Sequence, residues 1–246
     1  MPSVYLSPST QEYNRTIVGN SEEYYMNLIT DAMLPYLQAS GIRYGRNDPS
    51  MTALEAARQA NAGDYDFFLS IHSNAAPEPN SGTARGAEIY YYPESEEGRR
   101  AATIFANNYE QIYPLPENIK IIPLATLIEL NKTRMPAILF ELAYHDNLRD
   151  FLWLSSNIAE IGRNLALSLA DYFGVDFVEP FPFARGVVEI SGGRLNVRSA
   201  PSINSEIIGY LNNGDLVEIM RLENNWYEIR KGNLNGFANA EFIREL

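Results

Sequence analysis

Phe67-Phe68-Leu69-Ser70-Ile71-His72-Ser73-Asn74 is a short apolar run that stops at a histidine. Residues 67–71 are almost all apolar and rich in aromatic and β-branched types, as a strand covered on both faces requires. A histidine and two small polar residues follow at its carboxyl end, the edge at which open α/β sheets hold ligands. The chain has only two histidines. His72 therefore reads either as a group placed for chemistry or as a plain hydrogen-bonding residue at a strand end. A second run, Ala137-Ile138-Leu139-Phe140, has the same character and ends at Glu141.

Upstream of the central run, Val4-Tyr5-Leu6 reads as a first strand and residues 7–20 as a long polar loop. Ser21 is a good helix cap. Glu22 to Ser40 then reads as a helix closed by Gly41, with Tyr25, Met26, Ile29, Met33 and Leu37 spaced by three and four as its apolar stripe. Pro35 contradicts that helix locally and predicts a kink or a lost hydrogen bond. Ser50 to Ala62 reads as a second helix. Downstream, residues 75–85 form an exposed loop, 87–92 a strand and 94–113 a helix ended by Pro114 and Pro116. Lys120 to Ile122 reads as a short strand, 124–130 is apolar but ambiguous, and 150–157 and 158–173 are helical with Gly174 as cap. Strands alternating with helices predict an α/β fold, a mostly parallel sheet with helices on both faces, over residues 1–175.

Asp176 to Phe183, with Pro180 and Pro182 among large apolar residues, reads as a semi-rigid linker. Beyond it the pattern changes to short strands separated by Gly, Asn and Pro turns, so residues 184–246 are expected to form a small all-β barrel.

Composition narrows the function classes. The 246 residues are 46% hydrophobic and 12% aromatic, enough for a substantial core, and the net charge is −12. The acidic excess lies in residues 1–182, while 183–246 are near balance. Such an excess argues against nucleic acid and against an anionic membrane surface as partners, because both need a basic footprint. With no cysteine, disulfides and thiolate metal sites are excluded. No apolar run approaches the roughly 20 residues of a membrane span. The opening Met1-Pro2-Ser3-Val4-Tyr5-Leu6 lacks the basic and apolar regions of a signal peptide, so either the protein is not exported by that route or a leader has been removed.

Two buried strands that run the same way and end at His72 and Glu141 can present both groups to one cleft. The helix after the first loop brings Glu22 to that edge. Glu22 shares the apolar stripe of its helix, whereas Glu23 sits further round and is the fallback; either could instead be a first-turn acid favouring the helix dipole. His145 lies four residues beyond Glu141. Imidazoles and carboxylates of this kind suit a zinc site with an open position, and a nearby carboxylate can take a proton from water and hand it to a leaving amine.

Ser70-Ile71-His72-Ser73-Asn74, the acid that opens an apolar helix, Gly86-Ala87-Glu88-Ile89-Tyr90-Tyr91 and Glu141-Leu142-Ala143-Tyr144-His145-Asp146-Asn147 occur in that order. Together they resemble the zinc-dependent N-acetylmuramoyl-L-alanine amidase family over the first 175 residues. The resemblance implies that His72 and Glu22 are zinc (Zn2+) ligands and that Glu141 is the catalytic carboxylate. One motif departs from the family. Where the family carries Asp-Pro-Gly-His, whose histidine is another ligand, this chain has Ser7-Pro8-Ser9-Thr10-Gln11. Either His145 takes the vacant ligand place, or a side chain such as Gln11 holds the metal weakly or through water, or the site is metal-free. His145 has one further reading, as a donor to the oxyanion.

Leu195-Asn196-Val197-Arg198-Ser199-Ala200-Pro201, Gly214-Asp215, Trp226-Tyr227 and Gly236-Phe237 resemble a bacterial SH3-like domain, a type that binds cell-wall peptides. Trp226 and Tyr227 read equally as one core residue beside one surface residue. The expected function is hydrolysis of the muramoyl–alanine amide of peptidoglycan, acting at the cell wall or outside the cell. The rivals are a non-catalytic wall binder on a decayed amidase domain and a zinc peptidase acting on the stem peptide.

Overall fold

A computed structural model of the chain describes residues 1–180, 184–232 and 234–246. The chain divides into two compact units, Met1–Glu179 and Pro180–Leu246. Elements of the first unit run β1 (Ser3–Pro8), α1 (Glu22–Ala39), β2 (Arg43–Arg46), α2 (Ala53–Ala62), β3 (Phe67–Asn74), β4 (Ala87–Tyr91), α3 (Glu96–Tyr109), β5 (Ile119–Pro123), α4 (Ile128–Asn131), β6 (Ala137–Tyr144), α5 (Leu148–Ser156) and α6 (Ile158–Phe173).

Six strands form one sheet in the order β2-β1-β3-β6-β4-β5. Every pairing is parallel except β4 with β6. The α/β expectation holds, and the sheet is mixed. Strand alternation divides the apolar residues between two cores. Phe67, Leu69 and Ile71 of β3 and Ile138, Phe140 and Leu142 of β6 pack with Met26, Ile29, Met33 and Leu37 of α1 and with Ile161, Leu165 and Leu169 of α6. Phe68, Ala137 and Leu139 turn to the other face and meet Tyr5, Ala56, Ala60 and Leu130. Each fully buried Leu, Ile or Phe contributes about 1.5–3 kcal/mol of transfer free energy, so the two strands that end at the site are also those most firmly held.

Local signals agree with these boundaries. The Ser21 hydroxyl accepts from the Tyr24 N–H at 3.3 Å and caps α1. α1 continues through Pro35 to Ala39; the missing N–H costs a hydrogen bond, while four buried apolar residues hold the helix against the sheet. Thr52 and Glu55 form a reciprocal capping box, so α2 starts at Ala53 rather than at Ser50. Gly162 is where α6 crosses α1, since a Cβ there would come within 2.6 Å of the Ala32 Cβ. Gly86 enters β4 at φ +141°, with Asn118 backbone oxygen 2.5 Å from where a Cβ would stand.

Asp150, fully buried at the start of α5, fixes the entry to β4. It accepts from Arg85 Nε at 2.6 Å, Gly86 N at 3.1 Å, Tyr113 Oη at 2.8 Å and Tyr144 N at 3.2 Å. Within the stretch expected to be linker, Phe177 stacks on Tyr36 and the Val178 N–H donates to Ser40 Oγ at 2.9 Å. Phe181, Pro182 and Phe183 lie outside the described residues.

The second unit is one antiparallel seven-stranded sheet, ordered β13-β7-β10-β11-β12-β8-β9, with β7 at Ala184–Val188, β8 at Leu195–Arg198, β9 at Ile207–Leu211, β10 at Leu216–Glu223, β11 at Trp226–Lys231, β12 at Leu234–Asn239 and β13 at Ile243–Glu245. Its core is Val188, Leu195, Val197, Leu211, Val217, Ile219, Tyr227, Ile229, Ala238 and Ile243. Tyr227 is the core member of the aromatic pair, and Trp226 is half-buried. Among the described residues no helix is long and apolar enough to cross a membrane.

Because each unit encloses its own core, residues 1–179 expressed alone are expected to unfold in one cooperative urea transition with native-like circular dichroism. A non-cooperative, expanded fragment would show that the first unit depends on the second.

Candidate active site

The site starts from strand register. β3 and β6 pair so that His72 lies opposite Glu141, and β4 on the far side of β6 places Glu88 opposite the same Glu141. Three ionisable side chains on adjacent strands thus form one row across the sheet. Apolar residues occupy the preceding positions of that row, so the charges lie at the end of a buried strand core, where desolvation is strong.

Glu22, the first residue of α1, reaches the row from beside it. Its Oε1 lies 2.8 Å from His72 Nδ1 and accepts from Ser73 N at 3.2 Å, while its Oε2 accepts from Asn14 Nδ2 at 2.8 Å. Asn14 is in turn fixed by the Glu22 N–H, which donates to its carbonyl at 2.8 Å. Glu22 is 1% exposed. Burial alone would raise its pKa, but the bonds from His72, Asn14 and Ser73 hold it below the usual carboxylate value. Burial lowers His72, yet the bond to Glu22 and that carboxylate's charge, with Glu141 adding, carry the imidazole up to about 9. Glu23 is only half-buried; burial and the neighbouring charge of Glu12 raise it. The acid beside His72 is Glu22.

Glu141 is different. Its Oε2 is buried and, among the described residues, has no hydrogen-bond partner. Burial pushes Glu141 up to about 8, opposed by the charge of His72 and reinforced by Glu22 and Glu88. A partnerless carboxylate oxygen beside an imidazole can hold a proton or accept one from a ligand. Glu88, by contrast, is fully engaged. It accepts from Asn74 Nδ2 at 3.0 Å, Tyr144 Oη at 3.2 Å, Lys120 Nζ at 3.3 Å and the Tyr90 hydroxyl. Burial, followed by the bond to Glu88 and its charge, pushes the Tyr90 hydroxyl up, and burial followed by the charge of Glu88 pushes Tyr144 up to about 12. Sequence reading assigned no role to Glu88 or Asn14. The available signal for Glu88 was a lone acid at an alternating position between Ala87 and Ile89.

His145 is not brought to Glu22 and His72, against the expectation that it completes a ligand set. Three residues of β3, His72 to Asn74, face four of β6, Glu141 to Tyr144. That extra residue is a bulge, and it reverses the alternation beyond Glu141. Tyr144 therefore shares the face of Glu141, as its bond to Glu88 confirms, and His145 turns away. His145 is 1% exposed, with Nδ1 2.8 Å from the Ser73 carbonyl and 2.9 Å from its hydroxyl. Its backbone accepts from Ile17 N at 3.0 Å and donates to Asn74 O at 2.8 Å. It ties the opening loop to the ends of β3 and β6.

Among the described residues no group of three or more His, Asp or Glu is arranged to hold a metal ion. Carboxylate and imidazole are zinc donors, and Glu22 and His72 stand side by side, so the pair fits zinc in kind. It supplies two of the three protein donors of an ordinary catalytic site. Thr10 and Gln11, from the segment lacking the histidine, line a cavity together with His72.

Residues 10–171 match the family described as N-acetylmuramoyl-L-alanine amidase, and residues 193–244 match the bacterial SH3 domain. No curated protein matches the chain. Among solved structures, Cwp6 from Clostridium difficile is 25% identical with a TM-score of 0.62; the match covers 70% of this chain and 29% of that one. The N-acetylmuramoyl-L-alanine amidase AmiC2 of Nostoc punctiforme is 20% identical with a TM-score of 0.60, covering 70% and 97%. The CwlD amidase from Clostridioides difficile, solved with the GerS lipoprotein, is 14% identical with a TM-score of 0.62, covering 72% and 100%. At those last two identities the likeness is one of fold.

His145→Ala is expected to lower unfolding free energy by about 2 kcal/mol, the scale of stranding buried polar partners, while leaving bound zinc unchanged. Urea titration and metal analysis on the same preparation check both; a loss of zinc would return the imidazole to the ligand set.

Proposed function

Since the chain belongs to the N-acetylmuramoyl-L-alanine amidase family, we propose that it hydrolyses the amide between the lactyl group of N-acetylmuramic acid and L-alanine of the peptidoglycan stem peptide. The observation that carries this reading is the row itself: an unpartnered, basic carboxylate in register with an imidazole that a second carboxylate orients.

Glu141 is the general base and acid. A carboxylate pushed up to about 8 is a far better proton acceptor than an ordinary one, and its conjugate acid gives the proton back to the departing amine of alanine. Glu88 keeps Glu141 from ionising too readily. Asn74 and Tyr144, both bonded to Glu88, hold that second acid in place. Glu22 and His72 would hold zinc, with Asn14 and the Ser73 N–H fixing the carboxylate as outer partners do in metal sites. Zinc bound there supplies positive charge that polarises the scissile carbonyl. The bacterial SH3 unit would bring the enzyme to the wall, so the site of action is the cell wall.

A second reading, wall binding without catalysis, draws on the opening segment, where the family's ligand histidine is replaced by Ser7-Pro8-Ser9-Thr10-Gln11. Digestion of purified muropeptides decides between them. Hydrolysis with a new alanine amino terminus supports the amidase. No release in zinc-replete buffer supports the binder, and a new terminus elsewhere in the stem supports a peptidase.

Glu141→Gln keeps the shape and removes the base. It is expected to leave fold and zinc intact and to lower kcat by at least about 10²-fold; turnover near that of the unsubstituted chain removes Glu141 from the role. The purified protein is expected to hold about one zinc ion per chain, and Glu22→Ala or His72→Ala to strip it, as read by metal analysis. Full activity in a preparation proven metal-free would sink the zinc assignment.

A further inference from the structure

Ile17 and Val18 of the opening loop, Tyr24 in the first turn of α1, and Leu148 and Leu152 of α5 are each between 47% and 54% exposed. The pattern of α5 accounts for its two leucines. Phe151 and Leu154 are buried, and Trp153 meets Tyr109 and Tyr113 edge to face. Leu148 and Leu152 stand one turn apart on the opposite face of the helix. A helix that is apolar beyond the face it packs has a further face to cover.

Local contacts bring these residues to one side of the unit. The Tyr24 and Tyr25 rings meet edge to face at 5.2 Å, and Tyr25 meets Phe151 in the same way at 5.1 Å, which joins α1 to α5. Gly19 lies on that junction: a Cβ there would come within 2.6 Å of Tyr25 Oη and 3.8 Å of the Phe151 ring. The Ile17 N–H donates to the carbonyl of His145, three residues before Leu148. The loop thus lays Ile17 and Val18 beside the start of α5, and grouped apolar exposure of this kind marks a contact surface. Its rim carries both signs. Arg15 and Arg149 are exposed, and among the described residues neither has an ion-pair partner. Glu23, next to Tyr24, stands close enough to Glu12 to feel its charge.

We infer that this surface, formed by the opening loop and α5, is where two copies of the chain pair about a two-fold axis. The chain carries a net charge of −12, so two copies repel over most of their surfaces. The rim of this patch is the exception, with Arg15 and Arg149 set against Glu12 and Glu23. In an isologous contact the same patch faces itself. A rim of both signs then sets arginines of one copy against carboxylates of the other, the complementarity that fixes register between partners. A rim of one sign would have pointed instead to a partner of opposite charge. A lipid surface would meet Glu12 and Glu23 beside the leucines. An apolar, aromatic centre within a charged rim is the usual anatomy of a contact between proteins.

Sedimentation equilibrium of the full chain over a range of concentrations tests it. The mass is expected to rise from that of one chain toward that of two, with a dissociation constant on the order of micromolar, as a small interface gives. Leu152→Glu places a charge inside the contact and is expected to raise that constant at least about tenfold. Arg15→Glu combined with Arg149→Glu leaves a rim of one sign and is expected to abolish pairing through like-charge repulsion. The substituted side chains are exposed, so both variants are expected to keep the circular dichroism and urea transition of the unsubstituted chain, which separates lost pairing from lost folding. A chain that stays monomeric at every concentration, or a dimer that neither variant weakens, would overturn the surface. A monomer that instead floats with neutral phosphatidylcholine vesicles, and loses this with Leu152→Glu, would assign the patch to lipid and overturn the pairing as well.

Discussion

The parallel pairing of β3 with β6 sets His72 opposite Glu141, and β4 sets Glu88 opposite the same residue from the other side. Placing three ionisable groups in one row at the end of a buried sheet is costly, because each loses much of its hydration. The chain meets that cost unevenly. Glu22 compensates the imidazole directly. Glu88 is surrounded by an amide, two hydroxyls and an ammonium. Glu141 receives nothing on its buried oxygen. The apolar residues behind the row hold the strands that carry these groups in place. A group kept basic by its surroundings and fixed by its strand is what proton transfer to a leaving amine requires.

Much of this was legible because the two decisive strands are apolar runs that end abruptly in polar residues, and a buried strand leaves that trace in any sequence. The stripe on α1 identified Glu22 rather than Glu23 for the same reason: Tyr25, Met26, Ile29 and Met33 state which way the helix faces. The position of His145 was not legible. His145 was expected at the site because the opening loop offers no imidazole, and four residues along a regular strand would have returned its side chain to the face of Glu141. One extra residue in β6 reversed that parity. Neither composition nor periodicity marks a bulge of this kind, and Leu142-Ala143-Tyr144 is compatible with either count.

Strand direction is a milder case. β4 follows β3 after a loop with two prolines and a glycine and without a crossover helix, and a parallel return needs such a crossover. The antiparallel placement of β4 was therefore implicit in the absence of a helix between residues 75 and 86. β2 escaped notice because Arg43-Tyr44-Gly45-Arg46 sits at the sheet edge, where one partner suffices and apolar patterning is weak. In the second unit β12 and β13 are weakly patterned for a similar reason. Asn235, Gly236 and Asn239 dilute the one, and only Ile243 is buried in the other.

The opening loop binds these observations together. In the family it resembles, this segment contributes a ligand. Here its residues serve other contacts: Ser9 continues the pairing with β3 by donating to Ile71 O at 2.9 Å, Asn14 holds Glu22 and Ile17 holds His145. Thr10, Gln11 and Tyr13 turn to the cavity that His72 shares. The loop thus couples three things through a few residues: the orientation of Glu22, the closure of the strand ends and the wall of the pocket. The same segment that lines the pocket fixes Glu22, and Glu22 raises the pKa of His72. The wall of the pocket and the orientation of Glu22 are thus both anchored in the residues between Pro8 and Ser21.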